Sequence, residues 1–114
     1  MIHTMKLYEQ PFQSIKSGKK TVEVRLNDEK RRKISCGDMI EFIKMPDKTE
    51  TLRTKVLELK RYDSFQDMYE TIPADDLDAT GQSIDKMLKD TYQIYSSEQE
   101  ERWGTLAITI RLLV

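Results

Sequence analysis

The stretch Thr51-Leu52-Arg53-Thr54-Lys55-Val56-Leu57-Glu58-Leu59-Lys60-Arg61 decides the fold. Its apolar residues stand at even positions first (Leu52, Val56) and at odd positions later (Leu57, Leu59). Successive strand residues project to opposite faces, so a switch of parity inside one strand is the signature of a β-bulge. Bulges bend sheets toward closure, and the stretch therefore points to a small barrel.

The segments around it are consistent with that. Met39 to Met45 is apolar on both faces and reads as a central, covered strand, followed by the turn signal Pro46-Asp47-Lys48. Thr21 to Leu26 alternates, with Val22, Val24 and Leu26 on one face and Thr21, Glu23 and Arg25 on the other. His3 to Tyr8 reads as a short strand with Met5 and Leu7 on one face. Pro11 opens a short helix with Phe12 and Ile15 on one side, and Gly18 stands where a left-handed C-terminal residue belongs.

Downstream, Ser64 and Asp67 form a cap for a helix carrying Phe65, Met68, Tyr69 and Ile72. Ser83 caps a second helix, with Ile84, Met87, Leu88 and Tyr95 along one stripe. Leu106, Ile108, Ile110, Leu112 and Val114 alternate as a final strand. The order is β-α-β-β-β-α-α-β. We expect an α+β domain over residues 1–114, a small, partly closed β-barrel of five to six strands with flanking helices; an open sheet with helices on one face is the alternative.

The 114 residues suffice for one core but not two. Net charge is 19 − 20 = −1, yet the charge is segregated. Lys16 to Lys33 holds eight basic residues against Glu23, Asp28 and Glu29, a net of +5, whereas Asp63 to Glu101 holds eleven acids against Lys86 and Lys89, a net of −9. One basic face is implied. The acidic stretch, with Asp75, Asp76, Asp78, Glu98, Glu100 and Glu101, is either a solvated helical face or a dock for a basic protein partner. No apolar run nears the ~20 residues of a membrane span, and the N-terminus lacks a signal-peptide layout, so a cytoplasmic domain with no membrane partner is expected. One cysteine, Cys36, and one histidine, His3, leave no thiolate or histidine set for a metal, and no cofactor is expected. Cys36 is expected as a small buried filler, His3 as a capping or surface residue, and Asp38 as a turn-former bonding backbone N–H groups.

The chemistry gathers in Gly18-Lys19-Lys20-Thr21-Val22-Glu23-Val24-Arg25. Glu23 and Arg25, two apart, leave one face of a strand together. Lys20 is an odd step away and joins them only from a turn ahead of the strand, which Gly18 permits. Such a cluster is either a surface ion pair or a carboxylate holding two cations against a phosphate or base edge.

This run, with Pro11-Phe12 before it and Gly37-Asp38-Met39-Ile40 after it, resembles the ASCH domain, whose G-x-K-x-x-E-x-R signature is matched by Gly18, Lys20, Glu23 and Arg25. The resemblance is strongest over residues 5–43. It implies a PUA-like barrel, similar to RNA-binding PUA domains, with a cleft where the signature residues gather. RNA or a nucleoside is then the implied partner, bound by Lys20, Glu23 and Arg25, with Lys30, Arg31, Arg32 and Lys33 taking phosphates and Tyr8 and Trp103 available for base stacking.

The alternative is an enzyme acting on RNA or a modified nucleoside. One ASCH subgroup resembles an N4-acetylcytidine amidohydrolase that uses a Lys, a Thr three residues on and a downstream Glu. Here Lys20 matches, Glu23 replaces the Thr, and Asp85 is the nearest downstream carboxylate by element order. Other members cleave RNA, for which Lys20 and Glu23 would serve as general acid and base.

Overall fold

The computed structural model describes residues 1–113. Val114, expected in the final strand, lies outside the described residues. Five strands, β1 (Ile2–Leu7), β2 (Val22–Leu26), β3 (Met39–Lys44), β4 (Thr51–Tyr62) and β5 (Thr105–Leu112), form one curled half-barrel sheet in the order β1-β3-β4-β5-β2. β1 and β3 are parallel; the other three pairs are antiparallel. The two edge strands, β1 and β2, flank the opening of the curl.

The bend comes from β4. Val56 pairs with Ile110 and Glu58 with Thr109, so Leu57 is the extra residue of a bulge. Before it Leu52, Thr54 and Val56 face the interior; after it Leu59 does. Leu57 itself is not part of the inward odd-numbered set. It is 46% exposed, because the residue that absorbs the parity change has no partner across the ladder. Thr54 sits among the apolar side chains, its hydroxyl satisfied by the Ile40 carbonyl at 3.0 Å.

The concave face is filled by Met5, Leu7, Ile40, Phe42, Val56, Leu106, Ile108 and Ile110. Helix α1 (Glu9–Lys16) contributes Phe12 and Ile15 to the same core. β3 differs from expectation: Ile40 and Phe42 are buried, whereas Met39, Glu41 and Ile43 on its other face are only partly covered. The apolar run there faces one filled core, not two.

A second, smaller core lies on the outer face of β2 and β5. Val22 and Ala107 pack with Met68 of α2 (Phe65–Thr71), with Val24, Tyr62 and Tyr69 around them. Helix α3 (Ile84–Thr91) ends before Tyr95, which was expected on its stripe, and a further helix, α4 (Ser97–Trp103), precedes β5. α4 was not anticipated because Ser97 to Arg102 holds no apolar residue and hence no hydrophobic period. It is fixed instead by a Ser96–Gln99 capping box and stopped by Gly104 at φ 70°. Glu100 ties it to α2, its carboxylate accepting the Phe65 N–H at 2.7 Å. Among the described residues, no helix is long and apolar enough to cross a membrane.

Candidate functional site

Lys20, Glu23 and Arg25 converge. Ser17 ends α1, Gly18 turns the chain at φ 79°, and the Lys20 N–H then donates back to the Ser14 carbonyl. Thr21 N–H donates to the Asp76 carbonyl, so the approach to β2 is pinned on both sides before the pleat begins at Val22. From that turn the Lys20 ammonium reaches Glu23 Oε1 at 2.9 Å.

Glu23 and Arg25 pair across the ladder with Ile108 and Leu106, which belong to the concave core. Directly paired residues project to one face, so both charged side chains point into the curl while Val22 and Val24 turn outward under α2. Glu23 is 2% exposed. Its Oε1 accepts from Lys20 and, at 3.3 Å, from the Val24 N–H; its Oε2 accepts from Arg25 Nη2 at 2.9 Å and Nε at 3.1 Å. Four donors occupy the four lone-pair positions of the carboxylate.

Burial raises the Glu23 pKa, but the Lys20 and Arg25 charges and their hydrogen bonds outweigh it, and the carboxyl is held below its ordinary range. Burial likewise lowers the Arg25 pKa, yet Glu23 together with the Tyr95 hydroxyl more than offsets it, and the guanidinium is held above its ordinary value. The cluster is therefore a fixed carboxylate between two fixed cations, with one net positive charge.

It lines a cleft of about 390 Å³ between β1 and β2. Lys6, Leu7, Tyr8 and Pro11 form one side; Tyr69, Thr91, Ile94 and Tyr95 form the other. Tyr8 is 69% exposed. Tyr69, Thr91 and Tyr95 were missed, since helical spacing marks a residue as core without saying which strand it meets; burial pushes the pKa of both tyrosines up, so they stay neutral.

Other predicted residues lie elsewhere. Lys30, Arg31 and Arg32 do not line the cleft. Arg31 bonds Asp28 at 3.1 Å, and Arg32 donates to the Asn27 carbonyl at 2.7 Å and sits 5.3 Å from the Trp103 ring centre. Trp103 is thereby taken up by Arg32 and Arg102 and does not reach the cleft. Asp85, in the first turn of α3, is also outside it, and Thr21 lines a second depression with Gly18 and Leu57, which shares Lys20 with the cleft. Cys36 is exposed, not buried, in the turn that Gly37 anchors to the Val56 carbonyl. His3 is neither cap nor free surface group: its Nε2 lies 2.8 Å from Asp38 Oδ2, which also accepts the Ser35 N–H.

Comparison with solved structures finds close relatives. The crystal structure of hypothetical protein PH0355 is 36% identical, superposes with a TM-score of 0.88, and is matched over 99% of this chain and 100% of that one. Protein PF0455 from Pyrococcus furiosus is 34% identical with a TM-score of 0.79, over 99% and 98%. An ASCH protein from Zymomonas mobilis, 17% identical, shares the fold with a TM-score of 0.62 over 96% of this chain and 66% of its own. No curated protein matches the chain. The ASCH domain model matches residues 5–113, and with the half-barrel described above the conclusion is that the chain belongs to the ASCH domain family.

Proposed function

We propose that this domain binds single-stranded RNA, holding one unstacked nucleotide in the cleft between β1 and β2. The observation that carries the reading is a buried carboxylate fixing two cations side by side in a cleft of about 390 Å³, a size at which small-molecule sites begin. Lys20 and Arg25 supply charge-assisted donors, and the exposed ring of Tyr8 offers a stacking face at the rim. The exposed Lys30 on the 27–35 loop adds a phosphate contact beyond the cleft, while Arg31 and Arg32 chiefly hold that loop in shape. Glu23 is a positioning residue.

Binding is favoured over turnover on one ground. A general base needs a free lone pair, and those of Glu23 are taken; among the described residues it is also the sole carboxylate lining the cleft.

Fluorescence anisotropy with a short labelled RNA across a salt series tests the reading. Affinity should fall steeply, each phosphate contact contributing a slope of about 0.7 on a log–log plot for single strands. Lys20→Ala should weaken binding and flatten that slope. RNA binding that is absent, or indifferent to salt, sinks the proposal, and release of acetate from N4-acetylcytidine by the wild type but not Lys20→Ala would replace it with the hydrolytic reading.

A further inference from the structure

Two apolar side chains at the mouth of the cleft belong to neither core. Ile94 is 74% exposed and Tyr8 69%, and among the described residues only Met1 is a more exposed large hydrophobic. Single apolar residues scattered on a surface need no explanation. These two, however, line one cleft from opposite walls, Tyr8 at the end of β1 and Ile94 in the turn after α3.

Neither side chain hangs from loose backbone. The Ile94 N–H donates to the Thr91 carbonyl at 2.9 Å, and the Tyr95 N–H donates to the same carbonyl at 3.0 Å. The residues around Ile94 are anchored as well: Tyr92 Oη donates to Glu100 at 2.8 Å, and the Tyr95 ring stacks on Phe65 with centroids 5.5 Å apart. On the other wall Tyr8 follows the buried Leu7, and its carbonyl accepts the Phe12 N–H at 3.1 Å as α1 begins. Both apolar groups are thus held in place before a ligand arrives, which lowers the ordering cost of binding.

We propose that Ile94 completes a sandwich with Tyr8: one unstacked base enters between them, one face against the tyrosine ring and the other against the isoleucine side chain. This rests on the RNA-binding reading above and adds Ile94 to it as a binding residue. The occupant follows from what the cleft offers. A flat ring presents apolar surface on two opposite faces, and the net positive charge of Lys20, Glu23 and Arg25 in the same cleft calls for negative charge attached to that ring, as in a nucleotide. Every base has such faces, so the grip does not depend on which base enters.

A labelled uridine octamer and a ribose-phosphate octamer without bases are titrated against the full chain and its Tyr8→Ala, Ile94→Ala and doubly substituted variants. Ile94→Ala should weaken the uridine octamer about fourfold or more, the scale of one methylene withdrawn from contact. Its melting temperature and salt slope should stay in place, and Ile94→Met should restore the affinity. The double variant should lose less than the product of the two single losses, because a base released by one wall no longer presses on the other. The octamer without bases should bind the wild type and Ile94→Ala alike. Full affinity for the uridine octamer in Ile94→Ala, or single losses that simply multiply in the double variant, overturns the sandwich and leaves RNA binding standing. If the wild type binds neither octamer, both readings fall.

Discussion

Arg25 joins the two edges of the sheet: from β2 its Nη2 donates to the Lys6 carbonyl of β1 at 3.1 Å. The same nitrogen is 2.9 Å from Glu23 Oε2. β1 and β2 are the outermost strands of the sheet, so this one side chain bridges the opening that the backbone ladder does not close. The bridge and the ligand-facing cluster are therefore one device.

Arg25→Lys keeps the charge but loses the planar fork that meets a carboxylate and a carbonyl together. We expect a loss on the order of 2 kcal/mol in stability, the scale of hydrogen bonds to charged groups. Urea denaturation checks the loss. Faster amide exchange along β1, relative to β4, would show that the opening has widened; unchanged exchange there would mean the bridge does not hold the edges.

Glu23→Gln leaves Lys20 and Arg25 largely buried beside a neutral amide, and breaking a buried pair this way costs about 3 kcal/mol or more. Acid should act on the wild type by the same route. The Glu23 carboxyl is lowered in the folded state, so its contribution is present above the ordinary carboxyl pKa and is lost as the pH falls from there through the lower folded value. Denaturation midpoints taken down through that range should decline in the wild type and decline less in Glu23→Gln. Asp38 and Glu50 are also held low, by hydrogen bonds from His3 and Lys16 respectively, so some acid sensitivity should survive the substitution.

Tyr8 is exposed and carries no core contact, so Tyr8→Ala should leave stability within about 0.5 kcal/mol of the wild type. RNA affinity should fall by about 1–3 kcal/mol, the range for loss of one stacked base. An RNA titration beside a thermal melt reads both quantities, and unaltered affinity would remove Tyr8 from the site.

Deleting Leu57 leaves Val56 opposite Ile110, Glu58 opposite Thr109 and Leu59 opposite Ile108, a one-to-one ladder with the inward set unchanged, so it removes the bulge and its bend alone. The protein should still fold, but the straightened strand fits the curl less well, and a loss of about 1–3 kcal/mol in stability is expected. Leu57→Thr keeps the residue count and should be tolerated, changing stability by about 0.5 kcal/mol or less. Urea denaturation of the two variants separates the need for the extra residue from the need for its side chain, and equal stability of the deletion and the wild type would mean that the bulge does not set the bend.

Much of this was legible from spacing. The parity change between Val56 and Leu59 located the bulge, and Gly18 with Lys20, Glu23 and Arg25 located the cluster. What was not legible had no local signature. α4 lacks apolar residues, although Ser96 and Gln99 held its capping signal. Tyr69, Thr91 and Tyr95 reach the cleft because α2, α3 and the turn after α3 fold back over β2. The Lys6 contribution is a backbone carbonyl, which any residue type would provide.

Periodicity along the chain was enough to decide which residues share a strand face and where one strand must bend, because both follow from covalent geometry between neighbours. It could not decide which face of β2 becomes concave. Alternation is symmetric: it separates Glu23 and Arg25 from Val22 and Val24 without saying which pair turns inward. The tertiary structure broke that symmetry, placing Met68 of α2 over the valines and curling β4 and β5 so that a carboxylate with two cations of its own fills the mouth of the barrel.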